Sequence, residues 1–209
     1  MALTLAESAV LSTPLLPAMP VMMPLFRRDP LRSAAELAYR RVVEQARQPG
    51  FFAEIGVPDT VDGRFELIAL HAFLYLRRLK REQPQASRLG QRFFETVFTD
   101  FDRSLREMGT GDLGVGREVK RMAQAFYGRI DAYERGLAQG DSVLSAALGR
   151  NLFGTAPAPP TSLETMVDYL RREAAYLEEQ PTAELLAGEV RFGRPPELKP
   201  APAQAAGRR

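Results

Sequence analysis

Apolar residues recur at every third or fourth position through most of the chain. The clearest series follows Pro84 and comprises Leu89, Phe93, Phe94, Val97, Phe98, Phe101, Leu105 and Met108. This period places one apolar face along an α-helix. The sequence contains no run of alternating β-branched residues and no internal repeat of fixed period. The pattern therefore predicts an all-α fold.

The apolar period and the residues that start or stop helices divide the chain into about six to seven helices. Asp29 and Pro30 are typical of a helix start, as are Asp141 and the capping-box pair of Thr161 and Glu164. A glycine-rich link is predicted over 109–116, and a turn-rich connection with one helical turn over 51–63. Helices are expected at about 31–48, 64–82, 85–108, 117–140, 141–152 and 161–177.

The 209 residues are expected to form one compact domain. We assign residues 29–188 to an all-helical domain, 1–28 to a flexible leader and 189–209 to a disordered tail. The leader is apolar, but four prolines (Pro14, Pro17, Pro20 and Pro24) interrupt it and its first basic residue is Arg27. These features are unlike a signal peptide or a membrane span.

Composition excludes several kinds of active site. The chain has no cysteine, which excludes thiolate nucleophiles, iron–sulfur clusters and cysteine-ligated zinc. This also fits a reducing compartment, so we expect a cytoplasmic protein. With 28 basic and 26 acidic residues, the net charge of +2 gives no reason to expect binding to DNA.

Three local motifs resemble functional sites, but each has a structural interpretation that we favour. Gly109, Gly111 and Gly114 match G-x-G-x-x-G, although a helix rather than a strand is predicted before them, so no dinucleotide cofactor is expected. His71, the only histidine, lies in the most apolar run and is expected to be buried and hydrogen-bonded. The basic string of Arg77, Arg78, Lys80 and Arg81 is interpreted as a solvated helix end.

Two long segments resemble a known family. They are GFFAEIGVPDTVDGRFELIALH at 50–71 and DFDRSLREMGTGDLGVGREVKRMAQAFYGR at 100–129, supported by AYERGL at 132–137 and AALGRNLFG at 146–154. Together they resemble the ubiquinol-cytochrome c chaperones, the assembly factors of the cytochrome bc1 complex. The resemblance implies an all-helical chaperone, not an enzyme, that needs no cofactor or metal and holds newly made cytochrome b until this subunit joins its complex.

The family resemblance also suggests further partners and a location. They are a small partner subunit, the ribosome and peripheral contact with the inner face of the bacterial inner membrane. Without a presequence, the chain looks like the bacterial form of the family.

A client with apolar helices requires an apolar groove with a polar rim. We place this surface on the two matched segments. The expected apolar contacts are Phe52, Ile55, Val57, Met108, Leu113 and Val115. The expected rim is Asp59, Asp62, Arg64, Asp102, Arg106, Glu107 and Asp112.

Two other functions remain open. An all-helical body rich in aromatic residues could enclose a lipid or a quinone of the respiratory pathway. A ribosome-associated factor could use the basic helix ends, in which case its binding would fall steeply with salt.

Overall fold

The computed structural model describes residues 29–109, 111–154 and 157–198. Within this part of the chain there are eight helices and no strand, which confirms the all-α prediction. The helices are α1 (Pro30–Ala46), α2 (Gly50–Ala53), α3 (Val61–Lys80), α4 (Ser87–Glu107), α5 (Asp112–Gln139), α6 (Asp141–Leu152), α7 (Pro160–Glu179) and α8 (Thr182–Leu186).

Helix α3 is the centre of the fold. It contacts α1, α4, α5, α6 and α7, and every side chain from Phe65 to Tyr75 is buried. A helix that is apolar around most of its circumference has to be covered on all sides, and the other long helices cover it. None of the helices in the described ranges is both long enough and apolar enough to span a membrane.

The ends of α1 and α3 follow from local sequence. The Asp29 carboxylate accepts a hydrogen bond from the Leu31 amide at 3.1 Å, and Pro30 is the first helical residue, as predicted. The Thr60 hydroxyl accepts one from the Gly63 amide, also at 3.1 Å. Each side chain thus satisfies an amide that the helix leaves free at its start.

Two predicted caps are wrong. Asp141 is the first residue of α6 rather than its cap, and its carboxylate instead accepts a hydrogen bond from Arg171 of α7 at 2.6 Å. Helix α7 begins at Pro160, so Thr161 already lies inside the helix and no side chain caps that end. Proline has no amide hydrogen that needs a partner, and its ring fixes φ near the helical value. It therefore starts the helix without a capping box.

The glycine-rich link is shorter than predicted. Helix α5 begins at Asp112 and runs through Gly114 and Gly116. Each glycine costs the helix about 1 kcal/mol relative to alanine. Val115 lies between them and is fully buried, and this burial offsets part of the cost.

Part of the predicted tail packs on the helices. Residues 189–198 form a segment without regular secondary structure, in which Val190 is 1% exposed and Phe192 is half-buried against the core. The leader 1–28 and residues 199–209 lie outside the described residues. The packed body therefore extends about ten residues beyond the predicted boundary at 188.

Candidate partner-binding groove

A groove of about 450 Å³ lies where the start of α3, the end of α4, the middle of α5 and the end of α6 meet. Its walls come from three stretches of the chain, 58–66, 105–129 and 150–154. All three fall within segments that carry the family resemblance. The lining residues used below are Pro58, Val61, Asp62, Phe65, Glu66, Leu105, Glu118, Arg121, Met122, Arg129 and Arg150.

The groove has an apolar wall. Val61, at the first position of α3, is 57% exposed and is the most exposed of the three apolar side chains on this wall. Leu105 of α4 and Met122 of α5 are half-buried and face the same space. Together they offer an apolar partner a partly desolvated surface.

One lip of the groove depends on a close backbone approach. A Cβ atom added at Gly63 would lie 2.0 Å from the Pro58 carbonyl oxygen. Only glycine allows the segment before α3 to pack this tightly against the first turn of the helix. This contact fixes Pro58 and Val61 at the edge of the groove.

A buried ion pair forms the floor. The Arg129 guanidinium donates through Nε and Nη2 to the two carboxylate oxygens of Glu66, which is 5% exposed. Arg129 also donates to the Ala125 carbonyl at 2.9 Å and lies 5.4 Å from the centre of the Phe65 ring. Burial raises the pKa of Glu66, and the hydrogen bonds from Arg129 oppose that increase. The pair is a rigid polar element suited to orienting a partner.

Charged residues border the groove on both sides. Asp62 lies in the first turn of α3 and Arg150 in the last turn of α6, where each charge is favourable to the helix dipole. On α5, Arg121 donates to Glu118 at 2.9 Å. The rim therefore carries both signs of charge.

The predicted contact residues do not form one surface. Among the members of that set whose side chains the structure describes, only Asp62 lines the groove. Ile55, Val57 and Val115 are 0–2% exposed and pack inside the protein. Phe52 is half-buried and Met108 is exposed, while the side chains of Asp112 and Leu113 lie outside the described residues. Their roles in partner binding stay predictions.

The predicted rim residues are mostly surface ion pairs. Arg64 donates to Asp59 and Arg106 to Asp102, each at 2.7 Å, and Glu107 is exposed at the end of α4. Exposed pairs of this kind contribute little to stability. They leave charge at the surface near the groove.

The sequence analysis missed most of the groove. Val61, Glu66, Leu105, Met122 and Arg129 line it, and all of them lie in the two long matched segments. The signal available was the extent of those segments, which reach Arg129.

One structural interpretation of a sequence motif, that of His71, is confirmed, and that of the basic string holds only in part. His71 is fully buried, its Nδ1 lies 2.7 Å from the Leu67 carbonyl and its Nε2 lies 2.7 Å from the Tyr169 hydroxyl. Burial lowers the pKa of His71 to about 4. In the basic string, Lys80 and Arg81 are exposed as predicted, but Arg78 is 6% exposed and packs inside the protein. Arg77 and Arg81 form ion pairs with Glu178 at 2.8 and 2.7 Å. Among the described residues, no group of three or more histidines and carboxylates is arranged to hold a metal ion.

A larger groove, about 680 Å³, lies between α1 and α4. Its lining is mainly arginines and carboxylates, with the Tyr39 hydroxyl donating to Asp100 at 2.7 Å. Residues 31–46 and 87–99, which form most of it, lie outside the strings that carry the family resemblance. The smaller groove is therefore the better candidate for a site that goes with the family resemblance.

Comparison with known proteins identifies relatives over most of the chain. The family model described as ubiquinol-cytochrome C chaperone matches residues 53–192. Ubiquinol-cytochrome-c reductase complex assembly factor 1 from Xenopus laevis is 29% identical over 161 residues, which is 77% of this chain and 80% of that protein. The protein of that name from Mus musculus is 29% identical over 163 residues, and this chain spans only 55% of its length.

A solved structure shares the fold. The crystal structure of the Cbp3 homolog from Brucella abortus superimposes with a TM-score of 0.71 at 36% sequence identity. The alignment covers 79% of this chain and 91% of that one. The residues that line the candidate groove lie between 58 and 154, inside the span matched by the family model.

Proposed function

The chain belongs to the ubiquinol-cytochrome C chaperone family, and we propose that it binds newly made cytochrome b and holds this subunit until it joins the cytochrome bc1 complex. The curated relatives are named as assembly factors of ubiquinol-cytochrome c reductase, which supports a role in assembly. These names do not mention cytochrome b, so its identity as the client is our proposal. A small partner subunit, the ribosome and the membrane surface remain predicted further contacts.

One observation carries the proposal. Segments that are far apart in the sequence and that resemble the family converge on a single groove with an apolar wall, a polar floor and a mixed-charge rim. A helix of a membrane protein exposes apolar side chains before it is assembled. Such a helix fits a groove by burying those side chains against Val61, Leu105 and Met122.

The ion pair on the floor of the groove can orient the client helix. Arg129 is held by Glu66, by the Ala125 carbonyl and by the Phe65 ring, so it does not need to be ordered when a client arrives. A preorganised group loses little conformational entropy on binding. Polar groups at a helix end of the client can therefore select one orientation in the groove.

Site-specific photocrosslinking in cells tests where the client binds. A photoreactive amino acid replaces Val61 or Met122, and Val143 of α6 serves as the control because it is 36% exposed but does not line the groove. We expect cytochrome b to be trapped from the two groove positions and not from Val143. Equal trapping at all three positions would contradict the groove assignment.

A charge placed in the apolar wall tests the energetics. Met122→Glu puts a carboxylate where the client buries apolar surface, and we expect at least about a tenfold loss of affinity, or about 1.4 kcal/mol. Val143→Glu adds the same charge outside the groove and should leave the affinity unchanged. Fluorescence anisotropy with the purified variants measures the affinity of each for the client.

The same purified protein distinguishes the alternative function. A lipid or quinone that copurifies with the chain, detected by mass spectrometry and displaced by Met122→Glu, would favour a ligand-binding protein. A client contact that weakens steeply between low and high salt would instead favour the charged surfaces.

A further inference from the structure

Residues 189–196, called the strap here, are held to the body mainly through their backbone. The Arg191 amide donates to the Gln180 side chain at 3.0 Å, and the Gln180 amide group donates back to the Arg191 carbonyl. The Gly193 amide donates to Glu173 at 2.7 Å, and Gln45 donates to the Gly193 carbonyl at 2.9 Å. Side chains of α1 and α7, together with Gln180 directly after α7, thus hold the strap in place.

The strap covers a buried cluster that includes α2. The ring of Phe192 lies 5.2 Å from that of His71, and the ring of His71 lies 5.4 Å from that of Phe51 in α2. At the first residue of α2, a Cβ added to Gly50 would lie only 3.3 Å from the Cβ of Pro195. The strap is therefore packed directly on α2.

Helix α2 in turn supports the lip of the candidate groove. The Val57 amide donates to the Phe51 carbonyl at 3.0 Å, which folds the segment after α2 back onto it. Ile55 and Val57 are buried in this fold, and Pro58 follows at the edge of the groove. A displacement of α2 would move this lip and uncover both aliphatic side chains.

We infer that the strap is a releasable restraint on the client groove, and that its departure lets α2 and residues 54–60 move outward and enlarge the apolar binding surface with Phe51, Ile55 and Val57. The inference rests on the proposed function, and strap opening would give Ile55 and Val57, which are buried here, access to a partner. Local opening of this kind needs less free energy than global unfolding, because only Val190 and Pro196 of the strap are buried.

A reversible cross-link tests the inference. In the double variant Gly50→Cys, Pro195→Cys the two Cβ atoms lie 3.3 Å apart before any adjustment. This is close to the Cβ–Cβ distance of a disulfide, which is roughly 3.8 Å. The chain has no other cysteine, so oxidation closes only this bond. The single variants Gly50→Cys and Pro195→Cys, treated in the same way, are the controls.

Two measurements on the full chain give separate answers. Hydrogen exchange of residues 51–60 should be about tenfold slower in the oxidised than in the reduced double variant. Trapping of the client from a photoreactive residue at position 61 should fall several-fold on oxidation and return on reduction. Both single variants should show no redox dependence.

The outcomes separate the two ideas. Identical exchange and identical trapping in the oxidised and reduced forms would overturn the strap as a restraint. Slower exchange on oxidation with no membrane protein trapped in either form would support strap opening and overturn the proposed client. Slower exchange with undiminished trapping would show that the client uses the closed groove, which overturns the inference while preserving the proposed function.

Discussion

The His71 imidazole lies among the rings of Phe51, Tyr169 and Phe192, beneath the strap. Both of its nitrogens are within 2.7 Å of a hydrogen-bonding partner. Since burial lowers its pKa to about 4, the side chain is neutral at physiological pH. His71 therefore acts as a polar connector between α3 and α7 and is not an acid–base group.

Acid should destabilise the fold through this residue. The pKa of His71 is about 4 in the folded protein and 6.5 in a model peptide, so the unfolded chain binds the proton first as the pH falls. The stability that the neutral imidazole contributes is complete above about pH 6.5 and is lost as the pH approaches 4. Between pH 6 and 5 the free energy of unfolding should decrease by about 1 kcal/mol per pH unit from this group.

His71→Gln removes the only histidine and serves as the comparison. In urea denaturation between pH 7 and 5, the free energy of unfolding of this variant should decrease less steeply with falling pH than that of the parent. Equal slopes would mean that His71 does not titrate differently in the folded and unfolded states.

At the scale of elements, the α5–α6 hairpin illustrates how glycines on one helix have different roles. A Cβ added to Gly136 would lie 2.7 Å from the Leu144 Cα, so α6 crosses α5 in contact with its backbone. At Gly128, eight residues earlier on α5, a Cβ would have nothing within 4 Å. Gly136 permits the close packing of the two helices, whereas Gly128 only weakens α5.

Alanine at these two positions should have opposite effects. Gly136→Ala forces the hairpin apart and should lower the free energy of unfolding by about 1–3 kcal/mol. Gly128→Ala adds helix propensity without a clash and should raise it by about 0.5–1 kcal/mol. Thermal unfolding followed by circular dichroism at 222 nm tests the pair, and destabilisation by both variants would contradict the open surroundings of Gly128.

At the scale of the whole molecule, Arg78 joins the carboxyl end of the central helix to the last helices. Its guanidinium donates to the Leu177 carbonyl at 3.0 Å, to the Thr182 hydroxyl at 3.2 Å and to Glu82. The residue is 6% exposed. This one side chain bonds to the Leu177 carbonyl in the last turn of α7 and to the Gln180 carbonyl directly after it, and so fixes the turn that leads to α8 and the strap.

Lysine cannot replace this arginine. Arg78→Lys keeps the charge but lacks the planar fork that reaches several acceptors, and should lower the free energy of unfolding by about 2 kcal/mol. Arg81→Lys is the matched control, because the Arg81 side chain is 57% exposed and its pair with Glu178 lies at the surface; the change should be within about 0.5 kcal/mol. Equal losses in chemical denaturation would mean that burial and multiple acceptors at Arg78 add nothing.

The amino-acid sequence by itself determined the helices and the family. Helix formation depends on neighbours three and four residues away, so the apolar series of α4 and the start of α1 at Asp29 and Pro30 were readable directly. The burial of His71 followed for the same reason, because its immediate neighbours in α3 are apolar. Long matched strings identified the family without any knowledge of packing.

Tertiary structure alone decided which apolar residues face solvent and which segments outside the helices are held. Ile55 and Val57 are buried while Val61, at the first position of α3, is exposed, because the segment after α2 folds back onto α2 through the hydrogen bond from the Val57 amide to the Phe51 carbonyl. The strap looked like a disordered tail because it has little apolar bulk. Its partners Gln45 and Glu173 come from other helices, up to 148 residues away in the sequence. Burial and backbone satisfaction are set by such distant contacts, which no local pattern encodes.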